Sequence, residues 1–280
     1  MNGPEISRLF FYEWGLPYIR DHYPQLEMRM AAFLFEKSQA IYADDELSRD
    51  HDWGPSFQLI LTDADFDAVG EALRERIAND APDEWRGCRH TFKKSKERMT
   101  VDPISGYLKG QLECDYTSPP DDWEFPENVE SHLFYIKHGP IFYDPLGELS
   151  ERRAAFSRWS DAYLDKKIRS CCWNMWHYGR YNFVERMVKR DDPAGAAMCM
   201  GEFLKNTMRL CIYLDGDFAP YWKWLSFRFR QVTWASDIIS QVDTLAASHS
   251  KEEQALRIEE ISRLAEAKFA ADGLDLEIDN

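Results

Sequence analysis

The spacing of apolar and polar residues changes about halfway along the chain, and that change predicts a molecule in two parts. Leu26 to Ala31 alternates apolar and polar residues, the two-residue period of a half-buried strand. Phe57 to Leu61 is more continuously apolar and reads as a second, more deeply buried strand. Phe66, Val69, Leu73 and Ile77 then fall on one helical face, with Asp63 placed to cap its start. Upstream, Ser7 to Trp14 is an aromatic-rich helical stretch that Pro17 is expected to end or kink. Val101 to Ile104 fits a short edge strand, because Pro103 has no N–H to give to a central ladder. Gly106 to Leu112 reads as a helix, and Tyr135 to Asp144 as a strand, a Gly-Pro turn and a strand.

Past residue 150 the period is helical. Ala154 to Lys189 carries a broad apolar face that includes Ile168, Cys171, Met175 and Tyr178, and Ala194 to Leu214 forms a second long helix. Tyr221 to Leu225 opens a third, and Ile258, Ile261, Leu264 and Ala265 mark a last amphipathic one. Strands early and helices late predict an α+β class, a mixed sheet with helices over residues 1–150 followed by a C-terminal helical bundle over 151–280.

Composition narrows the partners. Apolar residues make up 44% of the 280, ample for a packed core, and the net charge is −15. That charge makes nucleic acid and anionic lipid unlikely partners, since both need clustered cations. No apolar run reaches the length of a membrane span, and the N-terminus lacks a signal-peptide pattern. The six cysteines form no CxxC pair and read as buried thiols, so a cytoplasmic location is expected.

The densest polar cluster is Asp44 to Pro55, directly ahead of the second strand. If Asp50 and Asp52 lie on that strand's leading end, their spacing aims both carboxylates to one face, a hard-oxygen site suited to Mg²⁺. Such an ion would neutralise charge on a triphosphate and help activate an attacking oxygen. The competing reading is a solvated acidic loop with Arg49 paired to Asp45 or Glu46. His51, pointing to the other face, suits a structural hydrogen bond. There is no P-loop or G-x-G-x-x-G, the acidic run lacks the later ligands of an EF-hand, and His51-Asp52 precedes a strand rather than sitting in a helical His-Asp site.

The run Asp44-Asp45-Glu46-Leu47-Ser48-Arg49-Asp50-His51-Asp52-Trp53-Gly54-Pro55 resembles the hallmark of an uncharacterised bacterial family within the polymerase-beta-like nucleotidyltransferase superfamily. His138 to Gly147, Gly179 to Asn182 and Phe218 to Trp224 resemble further segments of that family, so the resemblance covers roughly residues 5 to 235. It implies a Gly-Ser turn after the first strand that meets the phosphates, then paired acids about a dozen residues later. Ser38 stands twelve residues before Asp50, with Lys37 in the glycine position, where its ammonium could bind phosphate directly. The resemblance also implies a third acid on a neighbouring strand, for which Asp102 is the candidate and Glu113 and Asp115 are competitors. Arg49 and Lys223 are the remaining candidate phosphate ligands, Lys223 as a partly buried cation reaching across from the helical half, whereas Tyr221, Trp222 and Trp224 read as core.

The expected activity is therefore Mg²⁺-dependent transfer of a nucleoside monophosphate from a nucleoside triphosphate, ATP first among them, to a small-molecule acceptor. Asp50 and Asp52 would hold the metal with Asp102, and Asp102 would accept the acceptor's proton. Two other readings stay open: a nucleotide- or partner-binding module without turnover, suggested by Lys37, and a toxin or antitoxin enzyme that modifies protein or RNA.

Overall fold

The computed structural model describes residues 1–35, 38–49, 53–89, 99–114, 117 and 124–273. The chain divides into two compact units, Met1–Arg158 and Trp159–Asn280. The class is α+β, with a mixed sheet in the first unit and helices in the second.

Four strands make the main sheet: β1 (Met30–Phe33), β2 (Gln58–Leu61), β5 (Thr100–Pro103) and β6 (Ile141–Tyr143), in the order β5-β2-β1-β6. β1 runs antiparallel to both β2 and β6, and β2 runs parallel to β5. A separate two-strand ribbon, β3 (Glu84–Trp85) with β4 (Cys88–Arg89), turns through Arg86 and Gly87, both at positive φ. β1 and β2 are buried at every position. On one face Met30, Ala32, Leu59, Leu61 and Val101 pack with Phe10, Phe11, Phe57, Leu73 and Ile77. On the other, Phe33 and Phe35 meet Tyr107, with ring centroids 5.3 and 5.5 Å apart.

Several sequence expectations are met here and several are corrected. β2 and the edge position of β5 agree with the pattern. The first strand begins at Met30 rather than Leu26. Pro24–Leu26 is a 3₁₀ turn instead, so the alternation before Met30 belongs to a turn and not to a strand. Pro17 neither ends nor breaks its helix. The chain is helical from 3 to 22, and a π-helical stretch, Phe11–Gly15, precedes the proline. That wider turn gives the ring room where a regular turn would clash with the carbonyl four residues back. Thr62, not Asp63, caps the next helix, accepting from Asp65 N; the Asp63 carboxylate instead accepts from Ser105 N and Oγ at 3.1 and 2.8 Å. Tyr135 to His138 is not a strand but the end of the helix Glu127–His138, where Val129, Leu133 and Ile136 share a buried face. Only Ile141–Tyr143 after the Gly-Pro pair is extended.

The second unit is built from the helices Asp161–Met175, Pro193–Leu214, Trp222–Phe229, Ser236–Ala247 and Lys251–Asp272, with a π-helical segment Trp176–Met187 continuing the first. Ser236–Ala247 was not legible beforehand, although Ile238, Val242 and Leu245 recur on its buried face. Phe203, Leu210, Ile212, Phe229 and Ile261 are the centre of its core. One buried cation ties the turn Asp215–Asp217 to the helix Trp222–Phe229: Arg228 pairs with Asp217 Oδ2 at 2.7 Å and Asp215 Oδ2 at 2.6 Å. All six cysteines are free thiols; four are buried, and Cys88 and Cys114 are half-buried. No described helix is long and apolar enough to cross a membrane.

Candidate functional site

Sheet register decides which loops share an end. Phe33 pairs with Gln58, and Gln58 pairs with Thr100, so the exit of β1, the entry of β2 and the entry of β5 lie together. The turn that contains Ser38 leaves that end, and the Asp44–Pro55 run returns to it. Lys37, Asp50, His51 and Asp52 lie outside the described residues.

The flanks are held by a buried polar frame. Ser38–Ile41 is a 3₁₀ turn closed by Ala43 N donating to Ser38 O at 2.9 Å. Gln39, next to Ser38, is fully buried. Its Oε1 accepts from Gly54 N at 3.1 Å, and its Nε2 donates to Gly54 O at 3.4 Å, Ser56 Oγ at 3.2 Å and Ser7 Oγ at 3.5 Å. Gly54 has φ +126°, a conformation that a side chain would strain. One amide thus clamps the Ser38 turn to a residue two positions past Asp52. Among the described residues Ser38 Oγ has no hydrogen-bond partner.

Asp44 is the second hub. It is buried, and its Oδ2 accepts from Gly3 N at 2.7 Å and from Trp53 Nε1 at 3.2 Å. Gly3 opens the helix Gly3–Phe10, so the carboxylate also meets the positive end of that helix dipole. Arg49 Nη2 stands 3.8 Å from the same oxygen, Arg49 Nε donates to Asp44 O at 3.2 Å, and the guanidinium lies 4.7 Å over the Trp53 ring. Asp45 caps the next turn, accepting from Ser48 N at 2.8 Å. Of the described part of the acidic run, Asp44 is buried, while Asp45, Glu46 and Leu47 are exposed. The run's first two acids are structural, and Arg49 is held by Asp44 and Trp53, where Asp45 or Glu46 was expected.

Asp102 lies on β5 as expected, paired with Ile60 across the parallel ladder. That register sets it two residues beyond Thr100, about 7 Å from the shared end. Its Oδ1 is 3.1 Å from Arg74 Nη2, and Arg74 also donates to Val101 O at 2.9 and 2.6 Å. Asp115 lies outside the described residues, and Glu113 accepts from Asn128 at the end of the helix Ile104–Leu112.

Lys223 is exposed rather than half-buried, its ammonium 4.9 Å over the Trp224 ring. Tyr221 and Trp222 are also exposed, not core, because the helix Trp222–Phe229 buries Leu225, Arg228 and Phe229 instead. Arg180 lines a cavity inside the helical unit. Residues missed by sequence reasoning are Ser7, Gln39 and Ser56, small or neutral polar groups with no motif of their own, and Glu130. Glu130 is a fully buried carboxylate on the helix Glu127–His138, which packs against the Ser38–Ile41 turn. No group of three or more metal-ligating side chains occurs among the described residues.

A family model described as a domain of unknown function (DUF4037) matches residues 126–225, a little over a third of the chain. No curated protein matches. Among solved structures, the chain is similar to a nucleotidyltransferase-like protein from Exiguobacterium sibiricum, at 12% identity and a TM-score of 0.41, over 92% of this chain and 77% of that one.

Proposed function

We propose that the protein is a Mg²⁺-dependent nucleotidyltransferase that moves a nucleoside monophosphate from a nucleoside triphosphate, ATP in the first instance, to a small-molecule acceptor. The observation that carries this reading is the Gln39 clamp. It ties the Ser38 turn to Gly54, two positions past Asp52 in sequence, and would so set the paired acids beside the Ser38 hydroxyl. Nucleotidyl transfer needs that juxtaposition, a phosphate cradle beside paired carboxylates. The likeness of the Asp44–Pro55 run to the family hallmark adds to it.

The donor set suits the metal: two, or with Asp102 three, carboxylates are the hard oxygen ligands that Mg²⁺ prefers. Held by Asp50 and Asp52, the ion would offset triphosphate charge during in-line attack at the α-phosphorus. Ser38 Oγ donates to a phosphate oxygen, and Lys37 adds a point charge. Arg49 turns from Trp53 toward the triphosphate while Asp44 holds its base. Lys223 is the candidate cation from the helical unit. Asp102, whose Oδ1 is paired with Arg74, would accept the acceptor's proton on its other carboxylate oxygen.

Titration with ATP, with and without Mg²⁺, tests the reading when pyrophosphate release is followed in parallel. Asp50→Asn and Asp52→Asn are each expected to abolish Mg²⁺-dependent ATP binding while the unfolding midpoint stays put. Undiminished affinity in both variants would overturn it. Binding without pyrophosphate release, across triphosphates and a metabolite pool, would favour the binding module. Transfer of label to a macromolecule would favour a toxin-type modifier.

A further inference from the structure

The helical unit encloses a cavity of about 390 Å³ that nucleotidyl transfer leaves unused. That volume is at the lower end of the range of small-molecule sites, about 300–1,000 Å³. Met175, Leu210, Ile258, Ala265 and Phe269 make its apolar wall, with the thiol of Cys172. Burial pushes that thiol's pKa up to about 12, so the wall carries no charge at neutral pH.

Its shape depends on Gly179. A Cβ there would lie 2.6 Å from Phe203 Cδ2 and 3.0 Å from Ile258 Cγ2, so only glycine lets the helix Lys251–Asp272 close onto the π-helical segment. That segment presents Trp176 and Arg180 to the same opening. π-helical turns recur at functional sites, where they re-aim side chains that a regular turn would place elsewhere.

The opening has an uneven charge. Glu259 and Glu266 stand on one face of the last helix, with Ser262 between them, and Arg180 faces them. Arg180 Nη1 is already paired with Glu259 Oε2 at 3.4 Å. Among the described residues Glu266 has no cationic partner. A carboxylate ligand would meet two like charges and one occupied guanidinium. A cation would meet Glu266, with the partly exposed Trp176 indole, stacked on Tyr181 at a centroid distance of 5.1 Å, beside it to add cation–π attraction. Within, the sulfurs of Met175 and Cys172 and the ring of Phe269 favour an aromatic body over an alkyl one.

We propose that this cavity binds a small aromatic amine, its ring against Met175, Leu210, Ile258 and Phe269 and its protonated nitrogen held by Glu266 and Trp176. The site stands independently of the nucleotidyl-transfer reading, and Asp50→Asn leaves it unchanged.

Isothermal titration of the full chain tests it with three probes on one ring system: 2-(1-naphthyl)ethylamine, 2-(1-naphthyl)ethanol and 1-naphthylacetate. The amine is expected to bind most tightly and the acetate at least about tenfold more weakly, from like-charge repulsion at the rim. Glu266→Gln should weaken the amine by about three- to fivefold, as for an exposed ion pair, and leave the alcohol unchanged. Ala265→Leu should fill the cavity and abolish binding of all three; Ser262→Leu, at a half-exposed position, does the same if the first variant fails to fold. The proposal is overturned by acetate binding as tightly as the amine, by an unchanged amine affinity in Glu266→Gln or in a folded cavity-filling variant, or by no amine binding up to millimolar concentration.

Discussion

The two units each bury polar groups at a turn, and they solve the problem in opposite ways. In the first, a neutral amide does the holding: Gln39 satisfies a backbone N–H, a backbone carbonyl and two hydroxyls without burying a charge of its own. In the second, full charges do it: Arg228 is buried between Asp215 and Asp217. Burial works against the guanidinium's charge, but its hydrogen bonds to Asp215 and Asp217 outweigh that penalty and raise its pKa. A neutral frame would suit a turn that, on the proposed reading, leaves room for a bound polyanion and its metal. An ion-paired cluster suits a turn whose only task is to stay closed.

The difference is open to test by subtraction. Arg228→Ala takes the guanidinium from Asp217, only 3% exposed at its side chain, and should cost about 3–5 kcal/mol in chemical unfolding. Arg228→Met combined with Asp217→Asn should recover much of that loss, because breaking a buried pair costs more than replacing it. Equal loss in the single and double variants would show that the turn is held by packing and not by charge.

Gln39→Ala should cost about 2–3 kcal/mol, since Gly54 N–H loses its partner in a dry site. Its sharper signature is functional: freeing Gly54 unclamps the segment that carries Asp50 and Asp52, so ATP affinity should fall at denaturant concentrations where the chain is still folded. Asp44→Asn follows, at about 1–2 kcal/mol, because an amide keeps one acceptor for Gly3 N but forfeits the charge. If Asp44→Asn harms ATP binding more than Gln39→Ala does, the anchor of the acidic run is the charged hub and the clamp is secondary.

What the sequence made legible follows from how each signal arises. β2 is legible as a short, nearly continuous apolar run buried at every position, and the helix Pro193–Leu214 by the helical period of its buried side chains. Met30–Phe33 was misplaced by a few residues because helices cover both faces, so the true strand reads as a plain apolar run while the alternation sits in the turn before it. Tyr135 to His138 was misread because aromatic and β-branched residues before Gly-Pro suit a strand end and a helix end alike. At the site, the resemblance singled out the Asp44–Pro55 run and Ser38, but the residues that fix their geometry were silent. Gln39, Ser7 and Ser56 act through contacts 15 to 49 positions apart in sequence, which no local pattern encodes. Exposure also misled: a tryptophan-rich segment reads as core, yet Trp222 is 68% exposed because the amphipathic face of its short helix belongs to Leu225 and Phe229.

The thiols separate the two units chemically. Cys172, Cys199 and Cys211 lie in the helical unit, and burial raises all three pKa values, so they should resist modification near pH 8. Half-buried Cys88 and Cys114, in the first unit, should react first with a disulfide reagent. Two fast thiols and four that appear only on unfolding is the expected count; a third fast thiol in the native state would mark local opening of the helical core.

The smallest effect expected is at the surface of the helical unit, where Arg230 forms two hydrogen bonds with Asp243, at 2.9 and 2.5 Å. The hydrogen bond from Arg230 holds the Asp243 carboxyl below its ordinary value, so the folded state takes up this proton at lower pH than the unfolded chain does. The stabilisation is therefore complete above the unfolded carboxylate value, about pH 4, and is lost as pH falls through the lower folded value. Both side chains are about half exposed, so solvent screening limits the pair to under about 1 kcal/mol. Asp243→Asn should remove that much at pH 7 and progressively less as pH falls below 4, with the difference shrinking further in high salt. A penalty that persisted unchanged at pH 2 would mean that the carboxylate's shape, not its charge, supports the helix Ser236–Ala247, and the surface pair would then resemble the uncharged Gln39 frame more than the Arg228 cluster.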